Sequence, residues 1–130
     1  MKLNNSEENV GRVGELIVAR NLEKHGHRII TMNYRKKWGE IDVISQKERV
    51  THFIEVKTVS RETSRGDSLD AYSPEENVHP KKLKRLARTI QSFLLENNLT
   101  GAEWQLDVAG VLLDVNGKKA RIRMTENVVI

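Results

Sequence analysis

The segment Val50 to Thr58, VTHFIEVKT, constrains this chain more than any other. Its β-branched and aromatic residues read as a strand. Alternation along a strand puts Phe53, Glu55 and Lys57 on one face and His52, Ile54 and Val56 on the other. A carboxylate and an ammonium therefore stand side by side near the end of a largely apolar element. Burying such charges is costly unless they are paired or bind a metal.

The neighbouring segments give this strand its setting. Glu40 to Ser45 (EIDVIS) and His27 to Tyr34 (HRIITMNY) are further strand candidates, and their tight spacing predicts an antiparallel meander. A helix from about Ser6 to His25 precedes them. Asn5 and Glu8 are spaced for a capping box, and Gly26 sits where a C′ glycine ends a helix. Gly11 and Gly14 lie inside that helix, each costing about 1 kcal/mol relative to alanine. Both are expected where another backbone or a ligand approaches closely.

From Ser60 to Asn77 apolar periodicity disappears, as in loops that are functional or mobile. A second helix starts at His79-Pro80 and ends near Asn97-Asn98, with Leu83, Leu86, Ala87, Ile90, Phe93 and Leu94 as its apolar stripe. Strands at Glu103 to Leu113 and Lys119 to Thr125 follow, joined by a turn at Asn116-Gly117. The expected order is α-β-β-β-α-β-β. The fold class is α/β, a mixed sheet flanked by helices, in one domain spanning residues 1–130.

Composition narrows the chemistry. There are no cysteines, so disulfides, cysteine-rich zinc sites and thiol nucleophiles are excluded. No apolar stretch approaches the roughly 20 residues that span a bilayer, and no secretory signal opens the chain. A cytoplasmic protein without a membrane partner is the expectation. The net charge of +4 mildly favours a polyanionic partner. Lys81, Lys82, Lys84, Arg85 and Arg88 concentrate that charge on the second helix, away from its apolar stripe. Such a face suits a phosphate backbone, of DNA or RNA alike.

Asp42 interrupts the apolar run Ile41, Val43 and Ile44. If its strand pairs with Val50 to Thr58 as a hairpin, Asp42 meets Glu55 at a common end of the sheet. With the main-chain carbonyl of Val56 these acids would form an oxygen-rich site suited to Mg²⁺ or Mn²⁺. Lys57 would then orient a nucleophilic water or stabilise charge developing at phosphorus. Glu15, beside Gly14, could hold that water or supply a third carboxylate. Glu40 is an ambiguous second acid, less constrained than Asp42. Trp38, in the turn before the Asp42 strand, either stacks on a base or packs against its own domain. His25, His27, His52 and His79 share no ligand spacing and read as structural or surface residues.

Taken together, GRVGELIVA (11–19), GHRIITMNYR (26–35), GEIDVI (39–44), FIEVKT (53–58), VHPKKLKRLARTIQSFL (78–94) and WQLDV (104–108) resemble the YraN-like family. That family is grouped with Holliday-junction resolvases and restriction endonucleases in the PD-(D/E)xK superfamily. The resemblance implies a metal-dependent endonuclease acting on DNA. It implies Glu15 as the first-helix acid, Asp42 and Glu55 as metal ligands, Lys57 as the catalytic lysine and Lys82 as a phosphate contact. Lys81, Arg85 and Arg61 complete the expected nucleic-acid contacts.

Ile41 stands where the superfamily has its namesake proline. Val59 and Ser60 stand where the family has an arginine after the Lys-Thr pair, so the loop that follows is expected to hold substrate differently. Asp107 has a family counterpart and allows a purely structural role. A non-catalytic nucleic-acid-binding module of the same fold is the alternative reading. A two-fold homodimer would suit symmetric cutting of two strands.

Overall fold

A computed structural model describes residues 7–61, 79–114, 116 and 118–130. Helix α1 (Glu7–Lys24) leads into a meander of β1 (Arg28–Lys36), β2 (Gly39–Lys47) and β3 (Val50–Arg61). Helix α2 (Pro80–Glu96), β4 (Trp104–Asp114) and β5 (Lys119–Thr125) complete the expected order. The strands form one sheet in the order β1-β2-β3-β4-β5. Among the described residues its one parallel pair is β3–β4, and α2 lies in the connection between them.

Each helix covers one face. Phe53, Ile44 and Leu106 join Leu86, Ile90, Phe93 and Leu94 of α2 in one core. Ile54, Val43, Ala109 and Val111 join Val18 and Leu22 of α1 in the other. The alternation read in β3 is thus realised, with Phe53 and Ile54 on opposite sides. Fully burying side chains of this size contributes about 1.5–3 kcal/mol each.

The helix ends follow local chemistry. Gly26 has φ +90°, and it donates to Glu23 while His27 donates to Leu22, at 3.2 and 3.0 Å, closing a Schellman motif. At the start of α2, the His79 ring accepts the Lys81 N–H at 3.1 Å, and Pro80 opens the first turn. Asn5 of the expected capping box and the polar run beyond Arg61 lie outside the described residues, as does Gly117 of the Asn116-Gly117 turn.

The two glycines of α1 differ. A Cβ on Gly14 would lie 1.8 Å from Thr58 Oγ1, so β3 does press on this turn. Among the described residues, nothing lies within 4 Å of a Cβ on Gly11. Strands β1, β2 and β3 also run longer than periodicity indicates. β3 continues to Arg61 because main-chain pairing with β4 extends through Ser60↔Leu113 and Arg61↔Asp114. Such pairing needs no apolar side chain to sustain it.

Candidate active site

The β2–β3 ladder runs in register through Val43↔Ile54. One residue further, the Asp42 side chain replaces the ladder and accepts the Val56 N–H at 2.7 Å. The sequence-based site invoked the Val56 carbonyl, whereas the group brought to Asp42 is its amide.

A backbone irregularity sits opposite. Asn33 in β1 has φ +53°, a left-handed conformation that asparagine tolerates. Met32 and Val43 pack on the α1 side, while Tyr34 and Ile41 pack on the α2 side. The two-residue alternation of β1 and β2 therefore switches faces around Asn33 and Asp42. Asn33 Nδ2 donates to Glu15 Oε1 at 2.9 Å and to Glu40 Oε1 at 3.1 Å. It thereby ties the first-helix acid to the sheet. Glu40 also meets Arg35 at 3.3 Å.

Glu55 is 3% exposed on the α2 face of the sheet. Lys57 lies 3.9 Å and Lys82 2.5 Å from its Oε1. Burial, reinforced by the Glu55 charge, pushes the Asp42 carboxyl up to about 8, against the opposing Val56 N–H. The Glu15 charge adds to that rise. Burial pushes Lys57 down, helped by the adjacent Lys82. Burial also acts to lower Lys82, but Glu55 outweighs it and the ammonium is held above its ordinary range. One acid and two lysines of perturbed affinity for protons in one place are a recognised mark of functional sites.

Asp42, Glu55 and Lys82 open onto a cleft of about 740 Å³ between the β1–β2 turn and α2, whose lining includes neither Lys57 nor Glu15. Asp42, Glu40 and Glu55 line it, together with Arg35, Lys36, Lys37, Lys82, Arg85 and Arg88. Cations dominate the rim. The turn seats tightly on the helix, since a Cβ on Gly39 would lie 2.5 Å from Thr89 Oγ1. Trp38 packs against its own domain, its ring 4.3 Å beneath the Arg88 guanidinium.

Of the expected nucleic-acid contacts, Lys82 and Arg85 line the cleft. Lys81 is exposed outside its lining, and Arg61 lies at the far end of β3 opposite Asp114. The hairpin cations Arg35, Lys36 and Lys37 and the bridging Asn33 escaped the sequence reading. The run RKKW before Gly39 was the available signal for the cations. Among the described residues, no group of three or more His, Asp or Glu side chains is arranged to hold a metal. No described helix is long and apolar enough to cross a membrane.

The histidines are structural. His79 caps α2, and buried His52 pairs with Asp107 at 2.8 Å. Asp107 also accepts from Gln105 at 2.8 Å and from the Asn127 N–H at 3.0 Å.

Residues 14–111 match the uncharacterised protein family UPF0102. The chain belongs to UPF0102. A UPF0102 protein of Alkaliphilus metalliredigens is 37% identical over 120 residues, covering 92% of this chain and 96% of that one. A UPF0102 protein of Chlorobium phaeobacteroides is 38% identical over 104 residues, covering 80% and 76%. The YraN-like resemblance carried by the motifs is this UPF0102 membership. Among solved structures, Pyrococcus furiosus SfsA in complex with Ca²⁺ is similar at a TM-score of 0.33 and 16% identity. The match covers 92% of this UPF0102 chain and spans 61% of that chain's length.

Proposed function

We propose that this UPF0102 protein is a metal-dependent endonuclease of the PD-(D/E)xK type that hydrolyses DNA phosphodiester bonds. The observation that carries this reading is the Asp42–Glu55 acid pair in a cation-rimmed cleft, with the Lys57 ammonium 3.9 Å from Glu55.

The residues fit a divalent cation. Two carboxylates this close cannot both ionise comfortably, and Asp42 keeps its proton to about pH 8 without a counter-charge. A hard cation held by Asp42 and Glu55 would relieve that repulsion with the all-oxygen donors Mg²⁺ and Mn²⁺ favour. Such an ion supplies Lewis acidity and lowers the pKa of a water bound to it.

The chain's own groups do the rest. Lys57, its ammonium partly desolvated, hydrogen-bonds a non-bridging phosphoryl oxygen and stabilises the charge that develops there. Glu15, fixed through Asn33, positions water on the α1 side of Asp42. Arg85, Arg88, Lys36 and Lys37 hold flanking phosphates without reading sequence. The family resemblance favours DNA over RNA.

The test incubates purified protein with branched, flapped and linear DNA in Mg²⁺ or Mn²⁺. Cleavage lost in Asp42→Ala and Glu55→Ala is expected. If no substrate is cut, or both variants cut like wild type, the reading fails. Salt-sensitive DNA binding that ignores metal and both acids would establish the non-catalytic module instead.

A further inference from the structure

Of the two ammonium groups facing Glu55 Oε1, the nearer does not come from the sheet. Lys82, at 2.5 Å, is carried by the first turn of α2, whereas Lys57, its strand neighbour, stands off at 3.9 Å. A helix N-terminus disfavours cations through its macrodipole. The first turn of α2 nonetheless contains Lys81 and Lys82 and no acidic residue. Helix stability therefore does not explain Lys82. Its carboxylate partner does, because Glu55 is 3% exposed and would otherwise sit beside Asp42 with no ammonium in hydrogen-bonding contact. At 3.9 Å, Lys57 is too distant to hydrogen-bond Glu55 in its place.

Resting on the metal-site reading above, we propose that Lys82 is a built-in counterion that competes with a divalent cation for Glu55 and is released into the cleft when the cation binds. The freed ammonium then joins Arg85 on the cationic wall, where a nucleic-acid phosphate is its next partner. Cation and polyanion each take one half of the Lys82–Glu55 pair, so each strengthens the binding of the other. Linkage requires that this coupling be reciprocal. Lys82 is a positioning residue for Glu55 in the unloaded protein and a phosphate contact in the loaded one.

Calorimetric titration of Mn²⁺ into the metal-free full chain, without nucleic acid, tests the competition. Removing a charge-assisted hydrogen bond from Glu55 in Lys82→Met should tighten Mn²⁺ binding by about tenfold or more. Lys82→Gln serves as a second uncharged variant should the first fail to fold, with the same direction expected. Lys82→Arg should behave as wild type. Lys84→Met, which removes the same charge from an exposed position of α2, should change affinity by less than about twofold because it is screened. Equal or weaker Mn²⁺ binding by Lys82→Met and Lys82→Gln overturns the inference and leaves the metal site standing. No Mn²⁺ binding by wild type or these variants overturns both.

Discussion

Replacing Asp42 with asparagine keeps a side-chain oxygen for the Val56 N–H and removes one carboxyl from the buried pair. In the folded protein that carboxyl holds its proton to about pH 8, whereas its ordinary value is 3.8. Between these values the folded state binds more protons than the unfolded state, so stability falls as pH rises. At about 1.4 kcal/mol per pH unit, the interval from 3.8 to about 8 sets a ceiling of ~6 kcal/mol on the loss. The repulsion is shared with Glu55 and Asp42 is only partly buried, so roughly 2–3 kcal/mol is the expected size. Asparagine does not titrate and escapes this loss. Urea melts in EDTA should give similar stabilities for wild type and Asp42→Asn only below the ordinary carboxyl value of 3.8. At pH 8.5 the variant should be the more stable. Excess Mn²⁺ at pH 8.5 should then raise wild type and leave the variant unmoved. A difference between the two proteins that is the same at every pH would refute the reasoning.

Gly14→Ala should gain about 1 kcal/mol in helix propensity yet lose ~1–3 kcal/mol overall by pressing its Cβ on Thr58, with partial recovery in Gly14→Ala/Thr58→Ala by urea melts. Phe93→Ala should cost about 3–5 kcal/mol in the same assay, since its ring meets both Tyr34 and Phe53 edge-on. Asp107→Ala leaves the Asn127 N–H without its acceptor, so that amide should exchange faster by NMR and stability should fall by ~1–3 kcal/mol. Lys37→Ala and Arg88→Ala should each flatten the salt dependence of DNA binding by about 0.9 in log–log slope, while Arg61→Ala should leave it unchanged.

The element order and both core faces were legible because periodicity reports burial directly. Phe53 and Ile54 are the clearest case, consecutive residues sent to opposite helices. The Asp42–Glu55 approach was legible too, since a short hairpin fixes its own register. Asn33 was not legible, because a left-handed residue inside a strand leaves no periodic trace, and asparagine at that position reads as an ordinary polar residue. The hairpin cations Arg35, Lys36 and Lys37 were hidden for another reason. Their importance depends on the β1–β2 turn seating on α2 through Gly39, a long-range contact that no local pattern encodes. Lys82 could be read as basic surface from its neighbours, but only the fold shows that it turns inward to Glu55.

Asn33 also limits which substitutions this fold can accept there. Its backbone, at φ +53°, admits glycine, asparagine or aspartate with little strain. Its side chain must donate to two carboxylates at once, which glycine and aspartate cannot do. Glutamine and lysine can donate but fit the backbone poorly. Two unrelated demands thus intersect on one amide, and exchanging its nitrogen for an oxygen would turn a bridge between Glu15 and Glu40 into a third negative charge crowding them.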